Sequence, residues 1–407
     1  MSREGEMAEL DFDVFDASQT QRMWDLMREF RRRAPVAPIK GGFVYVSRYR
    51  EARAVLRDAQ KFSNAGGMRP TGLVVPVHDS SIGELVPPVH GPVRKAALAA
   101  AQGTGVVTSA RAFSRETCET LLDAIVARGS GDLLAEYSLA LTTRTIAWLI
   151  GVPMEDCDQL AEWGEEIMTS TLTVTNRTER GVGYAESFPE FTNYLEELIE
   201  DRIRNEDPSG SVVTRILHSG LEEGKLTTPM IRMILLNLLL GGTGTTRDFI
   251  GNLLAEILRR PELHEELHAD RALVPAALEE SLRLSPPVLY LIRTCTESTQ
   301  LAGCEIGSGQ RVVVGVASAN RDEEVYEDAD QFRLDRVDPP AHLSFGFGPH
   351  LCVGSPLARV EGEEAINTFL DRFAPGQVRL APGFELEMMP LPYMLGPVRL
   401  DVEIVGS

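Results

Sequence analysis

The run Phe345-Gly346-Phe347-Gly348-Pro349-His350-Leu351-Cys352-Val353-Gly354 sets one cysteine among glycines at 346, 348 and 354. Such glycines let backbone crowd against something flat. The residues after it read as a helix: Ser355 suits the cap, Pro356 the first turn, and Ala358, Ala365, Ile366 and Phe369 recur at helical spacing. A sulfur at a helix N-terminus meets the positive end of the dipole and unpaired N–H groups, and both favour the thiolate. A thiolate serves as a nucleophile or as a metal ligand. His350 is the only local base for a nucleophile. The ligand reading explains more, because the glycines admit a planar group and Phe345 can pack against it. A buried structural cysteine would explain Cys352 alone, not the rest of the run.

Composition narrows the class. The chain has 407 residues, more than one hydrophobic core usually holds, and 40 Lys+Arg against 60 Asp+Glu leave a net charge of −20. So acidic a chain argues against nucleic acid and anionic membrane as partners. Cys118, Cys157, Cys295, Cys304 and Cys352 are scattered with no CxxC, which fits a reducing cytoplasm. The acidic N-terminus has no apolar targeting core. The apolar stretch 230–240 is too short to span a bilayer and contains Arg232 and Asn237. A soluble, cytoplasmic protein is expected.

Along the chain, 42–47 reads as a strand and 49–56 as a helix. Residues 62–88, rich in Gly, Pro, Val and Ser, read as a long loop of the kind that usually carries function. Helical patterns fill 90–284, and extended segments return at 288–293, 311–316 and 398–404. No repeat or linker interrupts this order, which reads as one α+β unit, mainly α.

The pattern Phe-x-x-Gly-x-His-x-Cys-x-Gly resembles the haem-binding loop of the cytochrome P450 family, and the resemblance extends from residue 43 to the C-terminus. It implies a helical prism with a small β-rich region around a buried haem, formed by 1–407 as a single domain with 1–20 a mobile N-terminal segment. It implies that Cys352 is the axial thiolate of haem b, iron protoporphyrin IX, with Phe345, Gly346 and Gly354 around it and His350 on a propionate. His90-Gly91-Pro92-Val93-Arg94 resembles the family's His-x-x-x-Arg, and Arg293 stands where the family has a propionate-binding arginine. Read singly, each of these is an ordinary surface cation. Glu280 and Arg283, three apart on one helical face, match the family's Glu-x-x-Arg, with Arg336 as third partner. There Leu334 replaces the usual proline. These three read as structural.

Residues 231–259 read as a long helix interrupted by Gly241-Gly242-Thr243-Gly244-Thr245-Thr246. Glycines inside a helix each cost ~0.5–1 kcal/mol relative to alanine, so they argue for close approach or a widened turn. The family kinks its helix there, with an acid and a threonine that deliver protons during oxygen activation. Thr245 matches the threonine, but Gly244 stands where the acid belongs. Asp248, four residues on, is a substitute candidate. A plain helix threonine bonded to its own backbone is the simpler account of Thr245.

The resemblance implies a bacterial-type haem-thiolate monooxygenase that hydroxylates or epoxidises an apolar small molecule with O2. Pocket walls are expected from Leu240, Gly241, Val288, Leu289, Leu291, Met394, Leu395 and the 62–88 loop. Electrons would come from a ferredoxin or flavodoxin with its NAD(P)H-dependent reductase, and a monomer is expected. Gly244 motivates an alternative, a haem-thiolate enzyme that uses peroxide or performs coupling or rearrangement; a haem sensor or carrier is the other. One motif points elsewhere. His264-Glu265-Glu266-Leu267-His268 matches the zinc-protease pattern H-E-x-x-H, but its charged flanks predict an exposed helix without the apolar seat and third ligand zinc requires.

Overall fold

Val44, Tyr45 and Val46 have no solvent exposure, so the strand they form carries protein on both faces. The computed structural model describes residues 12–67, 74–103, 105–172, 183–205, 214, 216, 226–389 and 393–405. The chain forms two compact units, Met1–Met68 with Ala276–Cys352 and Glu387–Gly396, and Arg69–Pro275 with Val353–Leu386 and Pro397–Ser407. Each draws on stretches far apart in sequence, which is why no linker composition marks them. Of the N-terminal segment 1–20, residues 1–11 lie outside the described residues, and Ala17–Arg22 forms a 3-10 turn capped by Asp16. Of the 62–88 loop, residues 68–73 lie outside them too.

The first unit is built on a five-stranded sheet in the order Val36–Pro38, Val44–Val46, Arg311–Gly315, Tyr290–Cys295, Phe62–Ser63. Val44–Val46 runs parallel to Arg311–Gly315, with Tyr45 opposite Val313, and the other pairings are antiparallel. Alternation sorts the faces. Val44, Val46, Val312 and Val314 join Leu56 and Phe62 in an apolar cluster with the helix Tyr49–Arg57. Tyr45 points the other way, its ring 5.1 Å from those of Phe12 and Phe30 and 6.2 Å from that of Tyr290. Gly315 is required beneath it, since a Cβ there would lie 2.3 Å from the Tyr45 hydroxyl oxygen.

In the second unit the helices Val106–Arg128 and Ser355–Arg372 pack along each other. Ile146, Leu149, Leu195, Ile199, Ile231, Leu235 and Leu239 belong to its apolar core. A small antiparallel sheet joins Ser130–Asp132, Asp401–Ile404 and Val378–Leu380. Helix fills most of 90–284 as the periodicity predicts; Ser130–Asp132 departs from it because its strand partner comes from the C-terminal segment. Ser355 is not the cap. Gly354, at φ −82° and ψ 0°, already has helical backbone and takes the N-cap position without any side-chain bond, so the helix begins at Ser355, with Pro356 in its first turn. Among the described residues no helix is long and apolar enough to cross a membrane.

Candidate active site

Cys352 owes its place to the turn before it. Gly346 and Gly348 adopt φ of +74° and +76°, which side-chain-bearing residues rarely take. Gly348 also has no room for a Cβ, which would lie 2.9 Å from the Leu56 carbonyl oxygen. The 3-10 turn Gly348–His350 comes next, and the Cys352 N–H donates to the Phe345 carbonyl at 2.8 Å, closing the loop. The sulfur is thereby left on the surface of its unit. Of the five cysteines Cys352 alone is exposed. Burial pushes the Cys118 thiol up to about 12 and raises those of Cys157, Cys295 and Cys304.

Arg293 lies on the strand Tyr290–Cys295 of the same unit, opposite Val312. It is 5% exposed. Its Nη1 donates to the Ile292 carbonyl at 2.9 Å and its Nε has no partner among the described residues. Burial alone pulls this guanidinium down to about 10. A buried cation without a counter-charge is costly, and a carboxylate of a bound cofactor is the kind of group that would offset it. The residues present therefore fit a haem: an exposed cysteine on a glycine-shaped loop and a buried arginine without a counter-charge among the described residues, suited to a propionate.

The candidate pocket walls of this unit come together. Val288 bridges to Met394, the Leu289 N–H donates to the Tyr393 carbonyl at 2.9 Å, and the Leu395 N–H to that of Pro287 at 3.0 Å. Leu291 reaches the cysteine loop, its Cδ1 lying 3.7 Å from where a Cβ on Gly346 would be.

Glu280, Arg283 and Arg336 form a buried cluster. Arg283 holds the Glu280 carboxylate through bonds of 2.7 and 2.8 Å, and Arg336 Nε adds one of 3.0 Å. Burial would raise the Glu280 carboxyl, but Arg283, the Arg333 N–H and Arg336 together hold it below its ordinary value. Arg283 also donates to the carbonyls of Asn320 and Ala329. Asn320, unnoticed in the sequence, bonds the Leu343 N–H and the Ser344 hydroxyl, which carries the cluster to the start of the cysteine loop. No sequence signal marks Asn320, because its role depends on a contact across 23 residues.

The second unit holds the interrupted helix, Thr228–Gly242 followed by Gly244–Arg259 with the joint at Thr243 (φ −83°, ψ −72°). Its glycines differ in purpose. A Cβ on Gly242 would lie 2.4 Å from Ile146 Cδ1, so packing demands glycine there, whereas Cβ atoms on Gly241 or Gly244 would meet nothing within 4 Å. The space beside Gly241 and Gly244 is thus open, whereas Leu240 is buried in the apolar core of this unit. Thr245 donates its hydroxyl proton to the Gly241 carbonyl at 2.7 Å. Asp248 is fully buried; Arg247 Nε donates to its Oδ1 at 2.8 Å, while Oδ2 has no partner among the described residues. Burial raises its carboxyl to about 6 against the pull of Arg247. In the same unit His90 opens the helix His90–Gln102, with half-buried Arg94 one turn on. Burial, then Arg94, lowers the His90 imidazole.

The H-E-x-x-H pair is differently placed than predicted. His264 is buried, not exposed. Its Nε2 meets the Phe373 carbonyl at 3.0 Å and His268 Nδ1 the Leu370 carbonyl at 3.1 Å, so the two rings finish the helix Ser355–Arg372. Among the described residues no group of three or more His, Cys, Asp or Glu side chains is arranged to hold a metal.

The family model for cytochrome P450 matches residues 172–383. Cytochrome P450 119 of Sulfolobus acidocaldarius is 31% identical over 95% of this chain and all of its own. A steroid C26-monooxygenase of Mycolicibacterium smegmatis is 28% identical over 93% of this chain and 92% of its own. The structure of P450BioI with an acyl carrier protein superposes with a TM-score of 0.85 at 28% identity, covering 95% of this chain and all of that one. The chain belongs to the cytochrome P450 family. It is a monooxygenase that uses haem iron and O2 on a small organic molecule and draws electrons from a redox partner; the relatives named as hydroxylases and epoxidases favour this over the sensor, peroxide and coupling alternatives.

Proposed function

We propose that Cys352 is the thiolate ligand of a haem b, and that 1–407 works as one cytochrome P450 domain that oxygenates an apolar organic molecule. The observation that carries the reading is the contrast between exposed Cys352, held by the Phe345 carbonyl, and four buried or half-buried cysteines. Haem, when bound, would supply the iron chemistry of oxygen insertion, with the second oxygen atom released as water, and Cys352 would hold it as a thiolate that donates electron density. Arg293 neutralises a propionate, and His350, His90 and Arg94 are the further propionate donors. Phe345, Gly346 and Gly354 shape the loop against the porphyrin, and Glu280, Arg283 and Arg336 hold that loop's support in place.

Thr245 handles the proton. Its hydroxyl gives a hydrogen to the Gly241 carbonyl and keeps its lone pairs for a water, for which the bare Gly244 leaves space. Asp248, poised near pH 6, is the reserve of protons behind it. Leu240, Gly241, Val288, Leu289, Leu291, Met394 and Leu395 supply the apolar walls. A ferredoxin or flavodoxin with its NAD(P)H-dependent reductase delivers electrons to a monomer in the cytoplasm. Carbon monoxide added to reduced holoprotein tests the ligand. The strongly red-shifted Soret band of a thiolate-bound haem is expected, and Cys352→Ala abolishes it while far-ultraviolet dichroism persists. A variant that keeps the band has another iron ligand, and the reading fails.

A further inference from the structure

His342 has no part in the roles assigned so far, yet its ring is held at both nitrogens. The side chain is 7% exposed. Nε2 lies 3.2 Å from Oε2 of Glu279, on the helix Val274–Leu284. Nδ1 accepts the Ser344 N–H at 3.2 Å. A backbone N–H can only donate, so Nδ1 carries no proton and the hydrogen of the neutral ring sits on Nε2, directed at the Glu279 carboxylate. The ring also lies 5.9 Å from that of Phe345, tilted by 40°.

The bond to Ser344 continues beyond it. The peptide that supplies the Ser344 N–H has the Leu343 carbonyl as its other end, and that carbonyl accepts the Gly346 N–H at 2.8 Å. The peptide that supplies the Gly346 N–H ends in the Phe345 carbonyl, which accepts the Cys352 N–H at 2.8 Å. Four hydrogen bonds thus run in one sense from the Cys352 amide to the Glu279 carboxylate, through two peptide units and one imidazole. All of these residues belong to the first unit. Asn320 fixes the middle of the chain. Its Oδ1 accepts the Leu343 N–H at 2.7 Å, and its Nδ2 donates at 2.9 Å to the Ser344 hydroxyl, which donates onward to the Leu282 carbonyl at 2.6 Å. Ser344 therefore cannot turn its N–H away without straining these bonds too.

Direction matters here. Each peptide turns its N–H toward Glu279 and its carbonyl toward Cys352. The dipoles are aligned, and a carboxylate at the N–H end polarises them further in the same sense, because hydrogen bonds in a chain strengthen one another. The negative ends face the cysteine. Negative potential beside an axial thiolate disfavours adding an electron to the metal it holds, and hydrogen bonding behind a ligand tunes haem potential.

We propose that His342 is a positioning residue for the cysteine loop, and that through it the Glu279 carboxylate holds down the reduction potential of the haem iron. This rests on the assignment of Cys352 as the thiolate ligand. Three substitutions take the chain apart. Glu279→Gln removes the charge and leaves an oxygen for the Nε2–H. His342→Asn keeps an acceptor where Nδ1 stands but is too short to reach Glu279. His342→Leu removes both links.

In spectroelectrochemical titration of the holoprotein, Glu279→Gln and His342→Asn should each shift the ferric–ferrous equilibrium at least about threefold toward ferrous, and the double variant no further than either alone. Amide exchange at Ser344 should stay within about threefold of wild type in those two variants and rise at least about tenfold in His342→Leu. A shift in Glu279→Gln with none in His342→Asn would mean that the charge acts through space, and it overturns the proposal. An unchanged potential in both also overturns it, leaving His342 a structural contact only. Unaltered exchange in His342→Leu overturns the positioning role. If the reduced wild type with carbon monoxide lacks the Soret band of a thiolate-bound haem, the haem reading of Cys352 falls and the claim on potential with it. Exchange at Ser344 would still decide whether His342 holds the loop.

Discussion

Arg336 Nε donates to Glu280 Oε1 at 3.0 Å, on a carboxylate that Arg283 already grips with two bonds. All three side chains are a tenth exposed or less. Removing the charge between two such cations leaves them buried and unpaired, so Glu280→Gln should cost about 3–5 kcal/mol in chemical denaturation. Arg336→Ala, which loses one arm of the cluster, should cost less, about 1–3 kcal/mol. The Glu280 carboxyl sits below its ordinary 4.5 in the fold. Its contribution is thus complete above that value and fades as pH falls through the lower folded value. Glu280→Gln should lack this acid-limb slope. A loss below about 1 kcal/mol for Glu280→Gln would mean the cluster does not hold the loop's support.

The paired histidines of the zinc-like motif should prove purely structural. His264 Nε2 meets the Phe373 carbonyl and His268 Nδ1 that of Leu370, which fixes both rings against the end of the helix Ser355–Arg372, and among the described residues no third His, Cys, Asp or Glu completes a metal site with them. Elemental analysis should find no stoichiometric zinc, and His264→Ala should lower stability by about 2–3 kcal/mol through a lost buried bond and the space left behind. Stoichiometric zinc that disappears in His264→Ala would contradict this.

The contrast between these two clusters shows what sequence reading captures. Glu280 and Arg283 are three apart on one helix, so a local rule pairs them, and the motif spacing brought in Arg336 despite Leu334. Asn320 and Ser344 escaped because their bonds join segments whose nearness no periodicity encodes. The exposure assigned to His264 failed for the same reason: its flanks are charged, but its burial depends on the end of a helix more than a hundred residues away. Ser355 was misplaced by one position because Gly354 already has helical dihedral angles. Arg232 and Asn237 were noticed only as interruptions of an apolar run; their partners, Asp79, Ser81 and Ile82, lie some 150 residues earlier.

Asp248 should give the protein a pH dependence of opposite sign to that of Glu280. Burial raises its carboxyl from 3.8 to about 6. Between these values the folded state holds a proton that the unfolded state has released, so stability falls as pH rises through this window and stays lower above it. Asp248→Asn should flatten that slope in denaturation curves taken between pH 4 and 7. As the proposed proton reserve, it should also make peroxide release per NADPH climb as the wild type is taken through about pH 6. An Asp248→Asn variant with an undiminished climb would remove Asp248 from the proton path.

Thr245 and Gly244 carry the last prediction. Thr245 spends its hydroxyl proton on the Gly241 carbonyl one turn back, so Thr245→Ala loses only a helix back-bond and should change stability by no more than about 0.5 kcal/mol. Its effect should fall on coupling instead: without the hydroxyl, no fixed group in this open space orders the water that brings the proton, and most of the electron flow should leave as hydrogen peroxide. Gly244 is the reciprocal case. A Cβ there meets nothing within 4 Å, so Gly244→Asp enters without a clash and replaces a poor helix former, at a gain of a few tenths of a kcal/mol (~0.3). It also puts a carboxyl next to Thr245, on the proposed proton path. Peroxide yield per NADPH, measured with a bound substrate, should therefore rise sharply in Thr245→Ala and fall below wild type in Gly244→Asp. If Thr245→Ala leaves the yield untouched, the proton travels by another route, through Asp248 or the substrate itself, and Thr245 does not carry it.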